Sequence, residues 1–181
     1  MHPAAFHYVR RTVGQYPIPM AAKVVEIGGR NINGTIRDLF DIGTDGVYLC
    51  TDLYPGPGVD VVVDGAALNL ESPADVAVCC EVLEHAANAQ AIVANMARCV
   101  GQGGRVIITA AGCGEGWARA PHSAWDGCQL REGEHYANIS ASDLMAWLAE
   151  AGCSDIEVST NPQAGDVYAT ARTPARQEEW R

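Results

Sequence analysis

Basic residues are scarce in this chain. Twelve lysines and arginines stand against 22 aspartates and glutamates, giving a formal charge of -10 and a sequence pI near 4.8. Nucleic-acid binders draw most of their affinity from neutralising phosphates, and no Lys/Arg run denser than Arg10-Arg11 is present. Nucleic acid is therefore not an expected partner without a second subunit. Apolar runs approaching the ~20 residues needed to span a bilayer are also missing, so no membrane association is expected. Met1 to Phe6 lacks the charged and apolar regions of a signal peptide, which makes the cytoplasm the expected location. The seven cysteines (50, 79, 80, 99, 113, 128 and 153) form no C-x-x-C pair and no regular framework. Reduced thiols in a core are the favoured reading. A zinc site of Cys113, His122, Cys128 and His135 is the weaker alternative, and no metal is expected.

What is present is an α/β pattern. Residues 1–181 show no repeat, linker or low-complexity block, so one domain is expected, with 1–21 as a covering segment and 173–181 as a polar tail. Short β-rich runs are predicted at Lys23–Ile27, Gly46–Thr51, Val59–Val63 and Ala74–Cys80, the last apolar enough for the centre of a parallel sheet. Ile92, Val93, Met96, Ala97 and Val100 recur with helical spacing, predicting a helix over Asn88–Val100. Gly101 to Gly104 is expected to stop that helix, and Arg105–Ala110 to return as a fifth strand. Ser140 or Ser142 is the candidate cap of a further helix ending at Gly152. Ile156–Thr160 and Val167–Ala171 complete the strands, joined by an Asn-Pro-Gln-Ala-Gly turn that makes the last one antiparallel to its neighbour.

The chemistry gathers at strand ends. Glu26-Ile27-Gly28-Gly29 leads a strand into glycines and an expected helix, where backbone N–H groups can approach a ligand. The G-x-G-x-x-G dinucleotide fingerprint is not met, because Arg30 and Asn33 occupy glycine positions. Asp52, 26 positions after Glu26, ends the second strand and can accept both hydrogens of a ribose diol. A turn or helix-cap aspartate is the structural alternative. Asp64-Gly65 ends the third strand, and Cys80-Glu81-Val82-Leu83-Glu84-His85 ends the fourth, beside the first, where open α/β sheets bind ligands.

In this order the motifs resemble the class I S-adenosylmethionine-dependent methyltransferases, over about residues 22–171. The closest subgroup carries a Glu-x-Leu-Glu-His signature after the fourth strand. The resemblance implies a Rossmann-like, doubly wound seven-stranded sheet of order 3-2-1-4-5-7-6, mostly parallel with an antiparallel last strand and helices on both faces. It also implies a cofactor, S-adenosylmethionine, leaving as S-adenosylhomocysteine. Glu26 would fix the glycine loop, with Gly28 and Gly29 under the methionine part. Asp52 would hold the ribose, Leu53 would pack on the adenine, Asp64 with Gly65 would meet its edge, and Glu81 would lie near the methionyl end. The family's G-x-G-x-G is altered here, since Arg30 and Ile32 replace glycines. Asn31 is the residue expected to supply a side-chain contact in compensation.

Methyl transfer demands alignment and exclusion of water more than a fixed catalytic group, and a base only where the acceptor must lose a proton. His122, Glu81 and His85 are the catalytic candidates. Glu84 and His85 carry two readings: a base or acceptor-binding pair, or a brace for the following turn, which is favoured. The long segment Ala111–Asn138 supplies acceptor-side candidates in Trp125, Asp126 and Tyr136, with Trp117 beside them and Asp126 placed to orient His122; a loop pinned by its aromatics is the plain alternative. Tyr8 and Arg11 of the first segment are expected to pack or face solvent rather than meet the cofactor. A small-molecule acceptor is the favoured partner. The competing functions are a non-catalytic S-adenosylmethionine-binding module and an NAD- or nucleotide-dependent oxidoreductase.

Overall fold

The computed structural model describes residues 3–112, 135–161, 163 and 165–174. Ten main elements follow one another: α1 (Pro3–Gln15), β1 (Lys23–Ile27), β2 (Val47–Asp52), β3 (Val61–Val62), β4 (Ala74–Cys80), α2 (Ala89–Cys99), β5 (Val100–Ala111), α3 (Ala141–Glu150), β6 (Ser154–Asn161) and β7 (Asp166–Arg172). Single 3-10 turns lie at Arg37–Leu39 and Leu83–His85. The strands form one sheet of order β3-β2-β1-β4-β5-β7-β6. The pairings from β3 to β5 are parallel, and β7 runs antiparallel to both β5 and β6. This is the Rossmann-like arrangement that the family resemblance implies, and its parallel part is the one expected from the strand pattern.

Each face of the sheet has its own core, as parallel strands require. On one, α2 and α3 bring Ile92, Val93, Met96, Leu144 and Leu148 onto Val25, Ile27, Ala77 and Ile108. On the other, Tyr8 and Val9 of α1 join Ile36 and Phe40 over Val24, Tyr48, Val78 and Ile107. Tyr8 stacks on Tyr168 with ring centroids 4.6 Å apart, so α1 is anchored in the core by that residue. Ser140 caps α3: its hydroxyl accepts from the Asp143 N–H at 3.0 Å in a full capping box, while Gly152 closes the helix at φ +79.

Three expectations are corrected. No α-helix follows the glycines of β1; the chain runs through loop to the 3-10 turn at Arg37. The Asn31 side chain accepts from the Gly34 N–H at 3.0 Å, and Gly34 sits at φ +132, so a local turn competes with the helix. Second, Gly101–Gly104 stays in the sheet, and β5 begins at Val100. The register jumps there from Ala74–Val100 to Val76–Arg105, a bulge for which glycine is needed. A Cβ on Gly104 would lie 2.6 Å from the Asp75 carbonyl. Third, β3 is only two residues long. The stretch before it, Pro55-Gly56-Pro57-Gly58, ends in a glycine at φ +82 and delivers few residues in strand geometry.

Five described cysteines (50, 79, 80, 99 and 153) are free, four of them buried. Burial pushes the Cys50 thiol up to about 12 and the Cys79 thiol well above its usual range, as for inert core thiols. Among the described residues, no group of three or more His, Cys, Asp or Glu is placed to hold a metal, and no helix is long and apolar enough to cross a membrane. Cys113 and Cys128 lie outside the described residues, as does the tail from residue 175.

Candidate active site

Parallel pairing of β1, β2, β3 and β4 carries their carboxyl ends to one edge of the sheet, the edge where open α/β sheets bind ligands. Glu26, Gly28, Gly29, Asp52, Asp64 and Glu81 all arrive there.

The loop after β1 is laced to the end of β2. The Gly28 and Gly29 N–H groups both donate to the Thr51 carbonyl, at 2.8 and 2.9 Å. These amides are committed to the protein itself, which corrects the expectation that they reach a ligand. The Arg30 N–H donates to the Asp52 carboxylate at 3.1 Å, and the Asn31 N–H to the Pro57 carbonyl at 2.9 Å. Asn31 thus turns its side-chain oxygen into its own loop.

Underneath lies Glu26, 4% exposed, whose carboxylate accepts from the Tyr48 hydroxyl at 2.8 Å. Burial pushes its carboxyl up to about 7, partly offset by hydrogen bonds from Tyr48 and Cys50. A Cβ on Gly29 would come within 2.4 Å of that carboxyl, so glycine is the residue that lets loop and glutamate share the space. Gly28, at φ +74, lies equally close to Val82: a Cβ there would meet a Val82 methyl at 2.2 Å.

Asp52 accepts from the Tyr54 N–H at 2.9 Å as well as from Arg30, so it braces its own turn while standing half-buried at the edge. Leu53 beside it is 55% exposed. Asp64 accepts from the Ala66 N–H at 2.9 Å and from the Asn88 amide at 3.1 Å. Gly65 is packed against Ile27, where a Cβ would lie 2.5 Å from a methyl group, and its carbonyl accepts from Asn95 at 2.7 Å.

Glu81 leaves β4 in a left-handed conformation, φ 56, which re-aims the side chain at the strand end. Its carboxylate accepts from the Thr109 hydroxyl at 2.9 Å, and its N–H donates to the Thr109 carbonyl at 2.9 Å. Glu84 is 3% exposed, and one of its carboxylate oxygens has no hydrogen-bond partner among the described residues. Burial, with Glu81 and Asp166 nearby, pushes its carboxyl well above the usual range. The Glu84 carbonyl accepts from Ala137 at 2.8 Å, and the His85 ring meets Tyr136 edge-on at 5.2 Å. Tyr136 and Ala137 therefore lie against the turn that follows β4.

His122, Trp125 and Asp126, with Trp117, lie outside the described residues. Sequence reasoning missed Thr109, Tyr48 and Asn88, which hold Glu81, Glu26 and Asp64. Each partner is far away in the chain, and no local pattern marks it.

The family model described as the methyltransferase domain matches residues 12–158, and the chain belongs to that family. No curated protein sequence matches it. Solved structures resemble it in fold. The 1,6-didemethyltoxoflavin N1-methyltransferase of Burkholderia thailandensis, with S-adenosylhomocysteine bound, has 18% identity and a TM-score of 0.63, over 94% of this chain and 79% of its own. An amino pentose methyltransferase of calicheamicin biosynthesis from Micromonospora echinaspora, with S-adenosylmethionine bound, has 16% identity and a TM-score of 0.67, over 95% and 91%. The magnesium protoporphyrin IX methyltransferase of Synechocystis PCC 6803, also with S-adenosylmethionine bound, has 14% identity and a TM-score of 0.62, over 93% and 78%.

Proposed function

We propose that this methyltransferase-family chain takes S-adenosylmethionine at the carboxyl edge of β1, β2, β3 and β4 and methylates a small-molecule acceptor. The observation that carries the reading is the convergence of Asp52, Asp64 and Glu81 from three parallel strands around the β1 loop. The donor set suits the group at its adenosine end. Asp52 offers a carboxylate to a diol, and the exposed Leu53 offers an apolar surface to a flat base. Asp64 and Gly65 would stand at the base edge, and Glu81 at the aminoacyl end. The committed amides of Gly28 and Gly29 make the loop a floor rather than a set of donors, with Glu26 holding it from below.

Bound there, the sulfonium would supply a methyl carbon open to in-line attack. The protein's part is to align the acceptor and keep water out. Tyr136 and His85 stand at the end of β4 as the described part of an acceptor wall, which His122, Trp125 and Asp126 are proposed to complete. A proton lost by the acceptor would pass to an imidazole of His85 or His122, or to the Glu81 carboxylate. We further propose that residues 1–181 act as a single domain, in the cytoplasm.

Calorimetry with S-adenosylhomocysteine and with NAD+ tests the assignment, since a ligand of the folded state alone also raises its stability. Saturable binding of the first and none of the second is expected. Binding of NAD+ alone would overturn it.

A further inference from the structure

Arg30 stands at a glycine position of the family's loop, and its side chain reaches across to the turn after β2. Its methylenes lie on Gly56: a Cβ added there would stand 2.5 Å from the Arg30 Cδ. Its guanidinium carbon is 5.5 Å from the centre of the Tyr54 ring, within the range of a cation–π contact. The Arg30 Nε is buried without a hydrogen-bond partner, so packing and the ring fix its place, not an acceptor at that nitrogen. Arg37 is engaged elsewhere, over the Tyr48 ring at 5.0 Å and with the Tyr48 carbonyl at 3.3 Å.

The backbones of the same two residues meet on Asp52. Its Oδ2 accepts from the Arg30 N–H at 3.1 Å, and its Oδ1 accepts from the Tyr54 N–H at 2.9 Å. Amides and side chains of Arg30 and Tyr54 thus close a ring around one carboxylate. Each carboxylate oxygen has a further lone pair with which to accept from a hydroxyl. Where those lone pairs point depends on where the two amides sit, and the contact between the side chains holds the amides relative to each other. The Asn31 N–H ties the same loops together at the Pro57 carbonyl, 2.9 Å away, but does not involve Asp52.

We infer that Arg30 is a positioning residue for the cofactor ribose: by clasping Tyr54 it orients the Asp52 carboxylate towards the diol. It acts through Tyr54 and Asp52 and does not itself meet the ribose. The inference rests on the proposed ribose contact of Asp52.

Displacement of S-adenosylhomocysteine by adenosine and by 2′,3′-dideoxyadenosine tests it. These competitors differ only in the diol, so the ratio of their affinities reads the Asp52 contact alone. The intact chain is expected to prefer adenosine about tenfold, as a site built to bond a hydroxyl rejects the analogue without it. Arg30→Met keeps a stem for Gly56 but loses the guanidinium, and should cut the preference to about twofold; Arg30→Lys, which keeps a cation for the ring, should recover part of it. Tyr54→Leu breaks the same contact at a residue 55% exposed, and should cut the preference equally. The double variant should be no worse than either single one, because the two residues act as a pair. Urea midpoints report that each variant folds.

A preference kept in both Arg30→Met and Tyr54→Leu would overturn the inference while leaving Asp52 on the ribose. So would losses in Arg30→Met that fall equally on both competitors, the mark of a loop disturbed as a whole. No preference in the intact chain would overturn the inference together with the ribose contact beneath it.

Discussion

The carboxyl of Glu26 lies directly beneath Gly29, close enough that a single added methyl group would stand 2.4 Å from it. One buried acid and one missing side chain thereby set the height of the loop that crosses the proposed cofactor site.

Gly29→Ala should therefore push the loop off its floor. Overpacking at a buried contact costs on the order of 1–3 kcal/mol, and urea denaturation should show that loss. Calorimetry should show weaker binding of S-adenosylhomocysteine in the same variant. Unaltered stability would mean that the loop yields without resistance.

Glu26 makes stability depend on pH. Its carboxyl is raised from 4.5 to about 7 in the folded chain, so the native state keeps a proton that the unfolded chain has released. Stability from this group is thus lost as pH rises between those values, by about 2–4 kcal/mol. Glu26→Gln, which preserves an acceptor for the Tyr48 hydroxyl, should flatten that part of the profile. An identical profile in the variant would argue that Glu26 is solvated.

Glu84 follows the same sign in a more enclosed place. Its folded carboxyl is raised well above 4.5, so stability again declines as pH climbs from the unfolded value towards the folded one. Glutamine mimics the protonated acid. Glu84→Gln is expected to equal wild type at low pH and to exceed it in thermal stability at alkaline pH, whereas Glu84→Ala should be less stable than wild type at low pH.

Asp52 is proposed to bind the ribose diol while bracing the Arg30 and Tyr54 amides. Asp52→Ala should weaken S-adenosylhomocysteine by on the order of 1–3 kcal/mol, the cost of charge-assisted hydrogen bonds. Equal affinities in calorimetry would remove the ribose assignment.

Ser140→Ala offers a control remote from the proposed cofactor residues. Loss of the capping box at α3 should lower stability by about 1 kcal/mol and leave cofactor affinity untouched.

The strand pattern and the order of strand-end acids were legible along the chain, because each depends on neighbours in sequence. Alternation and apolar runs marked β1, β4 and β7, and helical spacing marked α2. Asp52, Asp64 and Glu81 could be read as strand-end groups because a carboxylate following an apolar run is a local signal. Other features depend on partners that local reading cannot supply. The glycines at 101–104 looked like a stop, and only pairing with β4 turns them into a bulge inside β5. The helix expected after Gly29 yields to an Asn31 turn and to ties onto Thr51 and Asp52.

Sequence by itself thus determined which residues end the strands and, through family membership, the class of chemistry. Tertiary structure decided what those residues do with one another. It spent the glycine amides on Thr51, buried Glu26 beneath Gly29 and tied Glu81 to Thr109. The physical reason is that desolvation and hydrogen-bond partnership belong to positions in space, and residues far apart in the chain set them.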